Sequence, residues 1–545
     1  MASSPRNSSM DLGPKEEKKD ADLEMIENVS QAQGNDRPEE GAWASAKNNP
    51  IVILYSIGAC ASSMLWGFDI GVNSISVALP GFKMVFGYEY QGELLISATW
   101  NALWTAMTSL GMLVGGYTLT LPSIESMLIS PAGSILCGYL SDRGGRRLGF
   151  AVGSATSLLG VGLEYGASGP GMLLAGKIVN GLSLGFFLTL SSVYASEIAP
   201  TPLRPSLTAA VNLFINAGQL TAIGIGNTRY GILSPSSYKV LFAAQWAFPC
   251  FIGLVTFVMP ESPWYLCRKG QIEAAKKSLE RLHLKSTDTS LILEDIQASI
   301  ADERAVAESQ KDASYKDCFR ASNWRRTRIS CGMFAVQQFT GIAFYSQALY
   351  FLGISGLPVS FTFQLALGGF GVAMFGNIVS WFIMNYIGRR PLLLTGIILN
   401  ALLLLSVGVA GCFSSMAALY YVGYVMNFAQ LFYAPTVGAV SWTISAEASS
   451  IKLRAQTQSL AIVTNALVSW VMNFVAPYLI NTDNADLGGK SAFVWMALSF
   501  LSLIWAWFEV PEFKDRTFSE LDGMFAQNIP TRQFTRQAAE MNRSL

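Results

Sequence analysis

The sequence DRGGRR at residues 142–147 returns as NYIGRR at residues 385–390, in the second half of the chain. Two further signals repeat in the same order and at nearly the same spacing. They are Glu197 with Arg204, repeated as Glu447 with Arg454, and the dipeptide Pro260-Glu261, repeated as Pro511-Glu512. Three paired signals in chain order are unlikely to arise by accident, so the sequence predicts two similar halves.

The composition is that of a chain that lies mostly in lipid. Of its 545 residues, 51% are hydrophobic and only 14% are charged, whereas soluble globular proteins carry about 25% charged residues. A spanning helix needs about 20 mostly apolar residues. Runs of that kind begin near Ile51, Leu94, Leu148, Gly171, Leu207, Val240, Ile329, Phe361, Pro391, Ala417, Ala455 and Ala492. The predicted fold is an all-α membrane protein with twelve transmembrane helices in two pseudo-symmetric six-helix bundles.

These runs divide the chain into five parts. We predict a disordered tail (1–47), a first bundle (48–263), a charged loop with amphipathic helices (264–326), a second bundle (327–511) and a second tail (512–545). Arginines in the short loops are expected to face the cytoplasm, which places both tails and the central loop there. Repeated bundles related by an axis along the membrane normal hold a solute site between them near the midplane.

One segment does not fit this scheme. Residues 116–133 contain Pro122, Glu125 and Pro131 within the second predicted span. Skipping them would join Gly115 to Ser134 in an unbroken apolar helix, whereas proline interrupts a helix and leaves backbone groups that need partners. The sequence leaves two interpretations open: an intervening stretch read into the protein, or a genuine re-entrant insert.

Charge and cysteine usage exclude several functions. The formal net charge is zero, so no nucleic-acid partner is indicated. The seven cysteines are scattered and there is one histidine, so we expect no metal site. We find no nucleophile–base pair within the spans and expect no enzyme activity. The expected partners are a lipid bilayer and a small solute, and the chain is expected to be a monomer.

From about residue 50 to residue 535, the chain resembles the sugar porters of the major facilitator superfamily, in particular the fungal hexose and α-glucoside proton symporters of the maltose permease type. The matching motifs are Gly67-Phe68-Asp69, Gly138 to Arg143 with Gly145-Arg146-Arg147, Gly176-Lys177, Tyr194 to Glu197, Pro260 to Pro263, Gln337 to Gly341 and Pro511 to Thr517. The resemblance implies alternating access by twelve helices, uptake of a hexose or an α-glucoside such as maltose, protons as the coupling ion and no other cofactor.

Asp69 is a carboxylate in an otherwise apolar run. An intramembrane acid is a functional candidate, because burying its charge is unfavourable. Lys177, about two turns into the fourth span, can share its depth, and the pair is predicted to couple protons. The alternative is that Asp69 only touches the outer interface. In the resembled family the partner is usually arginine, and lysine cannot bind a carboxylate through two parallel hydrogen bonds.

Amide side chains can both donate to and accept from sugar hydroxyls. Two stripes of such residues are present, Asn212, Asn216 and Gln219 in the fifth span and Asn465, Ser469 and Asn473 in the eleventh. Interhelical hydrogen bonding is the alternative role. The resemblance places Gln219, Gln337, Gln338, Trp442 and Asn465 at sugar contacts. It also implies that Ala343 replaces a frequent asparagine and that part of the helix break before Trp442 is lost.

The charged residues of the loops form a third predicted group. Arranged twice, they are predicted to form ion pairs that hold the inner face shut: Asp142, Arg143, Arg147, Glu197, Arg204, Glu261, Arg389, Glu447, Arg454 and Glu512. The alternative is that the basic residues only set the topology and the acidic ones only cap helices.

Three functions remain open from the sequence: a proton-coupled sugar symporter, an uncoupled sugar carrier and a transporter-like sugar sensor. Sensors of that kind tend to have long cytoplasmic C-terminal tails, and here only residues 512–545 follow Pro511. We therefore favour transport, with the plasma membrane as the expected location.

Overall fold

The protein is described here from a computed structural model, which covers residues 42–116, 135–200, 203–283, 289–309, 315–413, 415–450, 453–514, 516, 518–527 and 529–534. These residues form an all-α fold, and the predicted fold class is confirmed. The predicted insert at 116–133 falls almost wholly outside the described residues. A membrane-spanning chain must satisfy its backbone polar groups internally, which is why the apolar runs become helices.

The first half contributes six helical segments. They are α1 (Pro50–Ser76), α2 (Ala98–Gly116, resuming at Ile135), α3 (the part of Ile135–Tyr165 after a kink at Gly145), α4 (Pro170–Ile198), α5 (Arg204–Asn227) and α6 (Ser236–Val258). Gly145 has φ +91°, which L side chains rarely adopt. This residue therefore allows α2 to turn sharply into α3.

The second half repeats the arrangement. Its segments are α7 (Ala321–Gln337, continuing to Ile354 with breaks), α8 (Val359–Tyr386), α9 (Arg389–Ala410), α10 (Met416–Tyr433, continuing through a π-helical turn to Ala448), α11 (Arg454–Ile480) and α12 (Gly488–Glu509). Within the described residues, seven helices are long and apolar enough to cross a membrane: α1, α4, α6, α8, α9, α11 and α12. The other five are broken by bends, more polar, or interrupted by undescribed residues.

The start of the second span was predicted wrongly. Leu94 belongs to a short antiparallel hairpin of β1 (Tyr88–Tyr90) and β2 (Glu93–Leu95), and the helix begins at Ala98. The turn residues Gln91 and Gly92 have φ of +53° and +85°. Positive φ at both central residues is typical of the tight turns that join two strands. We call the side of the molecule that carries this hairpin the hairpin end.

Hydrogen bonds join the two halves at the hairpin end. Asn481 Nδ2 donates to the carbonyl of Ile96 over 2.9 Å, and its Oδ1 accepts from Tyr350 Oη over 3.0 Å. Near the end of α1, Ser74 Oγ donates to the carbonyl of Ser346 over 2.8 Å. Asn481 is fully buried, so this end of the interface between the halves is closed.

The opposite side, which we call the charged end, carries the repeated arginine motifs and two shorter helices of the central loop. The helix Ile272–Leu282 lies within the charged loop predicted at 264–326 and buries Ala275 and Leu279. These residues pack in one cluster with Leu266 and with Ile296 of the helix Thr289–Ser309. The central loop therefore forms a small helical subdomain of its own.

Candidate functional site

The structure brings Asp69 and Lys177 together inside the first half. Lys177 Nζ lies 2.8 Å from Asp69 Oδ1, and the side chains are 2% and 0% exposed. Asp69 is therefore fully buried among α1, α4 and α6 and not at a solvent-facing interface. Such burial is tolerated because each charge lies against an opposite charge.

Three amide groups complete the surroundings of Asp69. Asn180 of α4 and Gln245 of α6 donate to Oδ1 over 3.1 and 3.0 Å, and both side chains are fully buried. Asn73, one turn further along α1, donates to Oδ2 over 3.4 Å. A carboxylate that accepts several hydrogen bonds is stabilised in its ionised form. Sequence reasoning missed these amides, because single Asn and Gln residues in a span carry no distinctive spacing.

A second carboxylate completes this cluster, and sequence reasoning missed it as well. Glu164 of α3 is fully buried, and its Oε2 lies 3.2 Å from Lys177 Nζ. Its side chain lies against Gly176 of α4, where an added Cβ would be 2.8 Å from Glu164 Cγ. The signal that identified Asp69, an acid in an apolar run, applies equally to Glu164. We call Asp69, Glu164 and Lys177 the charge cluster.

A small cavity of about 10 Å³, room for about one water molecule, adjoins the charge cluster on the side of the hairpin end. Lys177 lines it together with Asn101 and Ser76, which are 2% and 3% exposed. Asn101 Nδ2 and Ser76 Oγ have no hydrogen-bond partner among the described residues. Buried polar groups of this kind are normally satisfied by a ligand or by water, so the cavity has the lining of a polar site.

The predicted sugar-contact residues of α7 lie at a break in that helix. Residues Gln338–Ile342 form a π-helical turn, and Gly341 within it has φ +96°. π-Helical turns are frequent at functional sites because they widen the helix and redirect side chains. Here the turn follows directly after Gln337, whose Nε2 donates to the carbonyl of Gly438 in α10 over 3.1 Å.

The structure places Gln338 and Asn465 in direct contact. Gln338 Nε2 donates to Asn465 Oδ1 over 2.8 Å, while Gln338 Oε1 is buried without a partner among the described residues. The amide pair therefore keeps one acceptor available. Behind the π-helical turn, the fully buried Asn400 of α9 donates to the carbonyl of Thr340 and accepts from Tyr345 Oη over 2.8 Å. Asn400 was missed because a lone amide in a span has no pattern.

The expectation that α10 loses part of its break needs correction. Residues Ala434–Gly438 form a second π-helical turn, which contains Pro435. Proline lacks the backbone N–H that a regular helix needs, so Pro435 breaks the helix before Trp442. Trp442 follows one turn later, 46% exposed, with its ring 4.7 Å from that of Phe334.

Gln219 lies apart from the amides of the second half. It is half-buried on α5, and its backbone carbonyl lies against Gly71 of α1, where an added Cβ would be 3.5 Å away. Within the described residues, no hydrogen bond joins Gln219 to Gln338 or to Asn465. The other predicted amides of α5 pair locally, since Asn216 Nδ2 donates to the carbonyl of Asn212 over 2.9 Å.

At the charged end, each half contains its own arginine–glutamate pair. Arg146 donates to Glu197 through Nη2 at 2.7 Å and Nε at 3.1 Å. Arg389 Nη2 lies 3.1 Å from Glu447 Oε1 in the second half. Arg146 belongs to the repeated motif but was not included in the predicted gating group. The structure shows that it forms one of these ion pairs and that it is only 2% exposed. Each ion pair therefore joins two helices of the same half and does not cross to the other half.

Two further glutamates cap helices at this end. Glu261 accepts from the backbone N–H groups of Arg146 and Arg147 over 2.8 and 3.2 Å. Glu512 does the same with Arg389 and Arg390 over 2.9 and 3.2 Å. Carboxylates at helix N-termini accept hydrogen bonds from free N–H groups and interact favourably with the positive end of the helix dipole. Burial raises the pKa of Glu261, while these backbone hydrogen bonds act in the opposite direction.

The arginine that follows each cap reaches the end of another helix. Arg147 Nε donates to the carbonyl of Thr256 over 3.0 Å, and Arg390 Nη2 donates to that of Trp507 over 2.9 Å. The exposed Arg143 accepts at its carbonyl from Tyr265 Oη over 2.8 Å. Among the remaining predicted gating residues, Arg204 is half-buried at the start of α5. The side chains of Asp142 and Arg454 lie outside the described residues.

Comparison with known proteins gives consistent results. The sequence profile of the family "Sugar (and other) transporter" matches residues 55–525. The chain is 31% identical over 479 residues to "MFS transporter fmqE" of Aspergillus fumigatus, covering 87% of this chain and 85% of that one. It is 30% identical over 523 residues to "Alpha-glucosides permease MPH3" of Saccharomyces cerevisiae, covering 94% and 84%.

Solved structures resemble the fold. The inward-open xylose transporter XylE from E. coli superimposes with a TM-score of 0.66 at 19% identity, covering 87% of this chain and 99% of that one. The proton:xylose symporter XylE bound to 6-bromo-6-deoxy-D-glucose gives a TM-score of 0.64 at 20% identity, covering 88% and 100%. At this level of identity the likeness concerns the fold.

Proposed function

Because this chain belongs to the sugar transporter family of the major facilitator superfamily, we propose that it carries a sugar across a membrane by alternating access, together with a proton. The observation that carries the proposal is the match of that family over residues 55–525. Relatives named as α-glucoside and maltose permeases favour an α-glucoside such as maltose over a hexose.

In this proposal the sugar binds between the halves at the break in α7. Gln338 Oε1 is buried and unpaired among the described residues, and its Nε2 holds Asn465. A sugar hydroxyl donating to that oxygen would satisfy it, since a buried acceptor without a partner is unfavourable. Trp442, half exposed one turn beyond the break in α10, offers an aromatic face to the ring. Gln337, linking α7 to α10, and Gln219, from the first half, complete the proposed contacts.

Alternating access requires one end of the path to close while the other opens. The halves are joined at the hairpin end through Asn481 and Ser74. We assign the hairpin end to the outer face and the charged end, with both tails, to the cytoplasm, in keeping with the positive charge of its loops. The conformation described is then closed to the outside, in a monomer of the plasma membrane.

The ion pairs of the charged end serve as gating elements in this proposal. Arg146–Glu197 and Arg389–Glu447 each fasten two helices of one half. Each half can therefore move as a unit, since the pairs need not break within it. The opposite conformation would bring these charges toward the other half and close the cytoplasmic side, as rigid-body switches of this kind do.

The charge cluster is the proposed coupling element, with Asp69 and Lys177 as its central pair. A buried lysine responds to protonation within the cluster of acids around it, because the net charge of the cluster changes, and Asp69 is the acid that holds this lysine in place. Asp69→Asn should therefore abolish proton-dependent uptake. Unchanged uptake with unchanged proton dependence in this variant would remove Asp69 from the coupling role.

The decisive experiment is uptake of radiolabelled maltose and glucose in cells that lack their own transporters, with and without a proton uncoupler. Maltose uptake that the uncoupler abolishes is expected. Uptake that resists the uncoupler would mean an uncoupled carrier. Sugar binding without any flux would mean a sensor, and neither binding nor flux of either sugar would refute a sugar substrate. The relative fmqE bears a name that specifies no substrate, so that last outcome is informative.

A further inference from the structure

Glu164 has no part in the coupling pair described above, yet it is fully buried and shares the same lysine. Its Oε2 lies 3.2 Å from Lys177 Nζ, while Asp69 Oδ1 lies 2.8 Å from that nitrogen on another side. One cation thus serves two buried carboxyl groups. This arrangement differs from a simple ion pair, because the cluster is electrically neutral only when one of the two acids holds a proton.

The charged groups around Glu164 decide how many protons the cluster holds. Among the described residues, Lys177 from α4 and Asp69 from α1 are the charged groups that face it, and α6 contributes the uncharged amide of Gln245 to Asp69. With both acids ionised, the cluster carries a net charge of minus one in the interior of the bundle. An unbalanced charge at such a place is strongly unfavourable. One proton restores neutrality.

Hydrogen bonding distinguishes the two acids. Asp69 Oδ1 accepts from three nitrogen donors, those of Lys177, Asn180 and Gln245. Protonating Asp69 would weaken all of them, since an ionised carboxylate is the better acceptor. By contrast, Glu164 has the longer contact with Lys177, 3.2 Å at Oε2, and its other hydrogen-bonding neighbour is Asn180, which also donates to Asp69. Protonation of Glu164 therefore weakens fewer hydrogen bonds than protonation of Asp69 would.

We propose that Glu164 binds the transported proton, while Asp69 remains ionised and holds Lys177 in place. The inference rests on the proposed function and names the proton-binding residue of the same cluster. The step is a simple proton transfer. A hydronium ion gives its proton to a carboxylate oxygen of Glu164, an O–H bond forms and a water molecule is left; release to the other side reverses it.

The cavity beside the cluster provides the route by which water can reach it. Asn101 and Ser76, whose Nδ2 and Oγ have no partner among the described residues, lie with Lys177 around the same space. A cavity with room for about one water molecule and with several polar partners can hold an ordered water. This cavity lies toward the hairpin end, so a hydronium ion would arrive from that side and reach Glu164 past Lys177, which keeps its own proton.

This assignment gives the proton a specific task. When Glu164 is protonated, the cluster is neutral and can be buried while the halves change position. When Glu164 is ionised, burial of the cluster is opposed by its unbalanced charge, so the empty path stays accessible to water. A permanently neutral residue at position 164 should allow the change in conformation without a proton, and should turn the symporter into an uncoupled carrier.

The test uses purified full-length protein in proteoliposomes, with radiolabelled maltose as the probe. An imposed gradient of one pH unit can drive about tenfold accumulation when one proton accompanies one sugar, since a tenfold ratio corresponds to 1.4 kcal/mol. The wild type should approach that ratio. E164Q should exchange internal for external maltose but reach an accumulation ratio of about one, since the pH gradient no longer supplies free energy. The matched control is E89Q, at an exposed glutamate of the hairpin, which should accumulate as the wild type does.

Each result has a distinct meaning. Accumulation by E164Q equal to that of the wild type would overturn the assignment of Glu164 while leaving the proposed function intact. Loss of both exchange and accumulation in folded E164Q would also overturn it, because the residue would then be needed for sugar movement itself. Should E164Q not fold, E164D is expected to shift the pH profile of accumulation, and an unshifted profile refutes the assignment. A wild type that neither exchanges nor accumulates maltose or glucose would instead refute the sugar symport function.

Discussion

Replacing Lys177 by methionine tests whether the charge cluster depends on its single cation. Lys177 lies 2.8 Å from Asp69 and 3.2 Å from Glu164, and the three side chains are at most 2% exposed. At an effective dielectric constant of about 20, the attraction to Asp69 is worth about 6 kcal/mol, and the attraction to Glu164, when that acid is ionised, about 5 kcal/mol. Part of this offsets the desolvation of the ions, and removing one partner of a buried pair destabilises by about 3–5 kcal/mol. K177M should lose a free energy of unfolding in that range.

The measurement is unfolding of the purified protein in mixed micelles. The triple variant K177M/D69N/E164Q, which carries no charge in the cluster, should recover most of the loss, because a neutral replacement of a buried ion pair is often harmless. The matched control is K276M at an exposed lysine of the helix Ile272–Leu282, where a change below about 0.5 kcal/mol is expected. A K177M protein as stable as the control would contradict the reasoning, and so would a triple variant no more stable than K177M.

Three further predictions concern other parts of the molecule. Gly67→Ala would put a Cβ 1.7 Å from a backbone carbonyl oxygen of α5, so α1 and α5 must separate. The free energy of unfolding should fall by about 1–3 kcal/mol in the same assay. The control Gly162→Ala, with open space around it, should be neutral or stabilising. Gln338→Ala should raise the apparent Michaelis constant for maltose about tenfold, through loss of a buried hydrogen-bond acceptor worth about 1–3 kcal/mol; an unchanged constant would remove this residue from the site. Burial lowers the pKa of His283 below 6.5. The folded state therefore binds fewer protons at this residue than the unfolded state, and the free energy of unfolding should fall as the pH drops below about 6.5. His283, which contacts Asn49 over 2.9 Å, is the one histidine of the chain, so an NMR titration measures its pKa directly, and a pKa at or above 6.5 would refute the prediction.

The fold could be predicted because the information was repeated and periodic. Apolar runs have the length a bilayer requires, and the motif pairs around Arg146 and Arg389 mark equivalent points of the two halves. The hairpin was missed because Leu94 and Leu95 extend the apolar run that follows, and hydropathy alone does not separate a short strand from a helix start. The break of α10 was misjudged because Pro435, which breaks the helix, lies further from Trp442 than the residues on which the expectation was based.

The site was predictable only in part. Asp69 and Lys177 were identifiable because each is a charge in an apolar run, yet the same rule should have selected Glu164, which was passed over near the end of its run. Which acid receives hydrogen bonds depends on tertiary contacts, such as that of Gln245 with Asp69, and no sequence pattern records them. The amides of α7 and α11 were predicted by type, but only packing determines that Gln338 is oriented toward Asn465.

The twin glutamate caps bear on how the chain is made. Glu261 completes the N-terminus of α3 with a residue that follows α6, and Glu512 completes that of α9 from a residue after α12. In each half, the N-terminal N–H groups of the third helix are thus capped by a residue that is synthesised after the sixth helix of the same half. Since domains generally fold as units, the N-terminal one first during synthesis, the first six helices can settle before the seventh is translated.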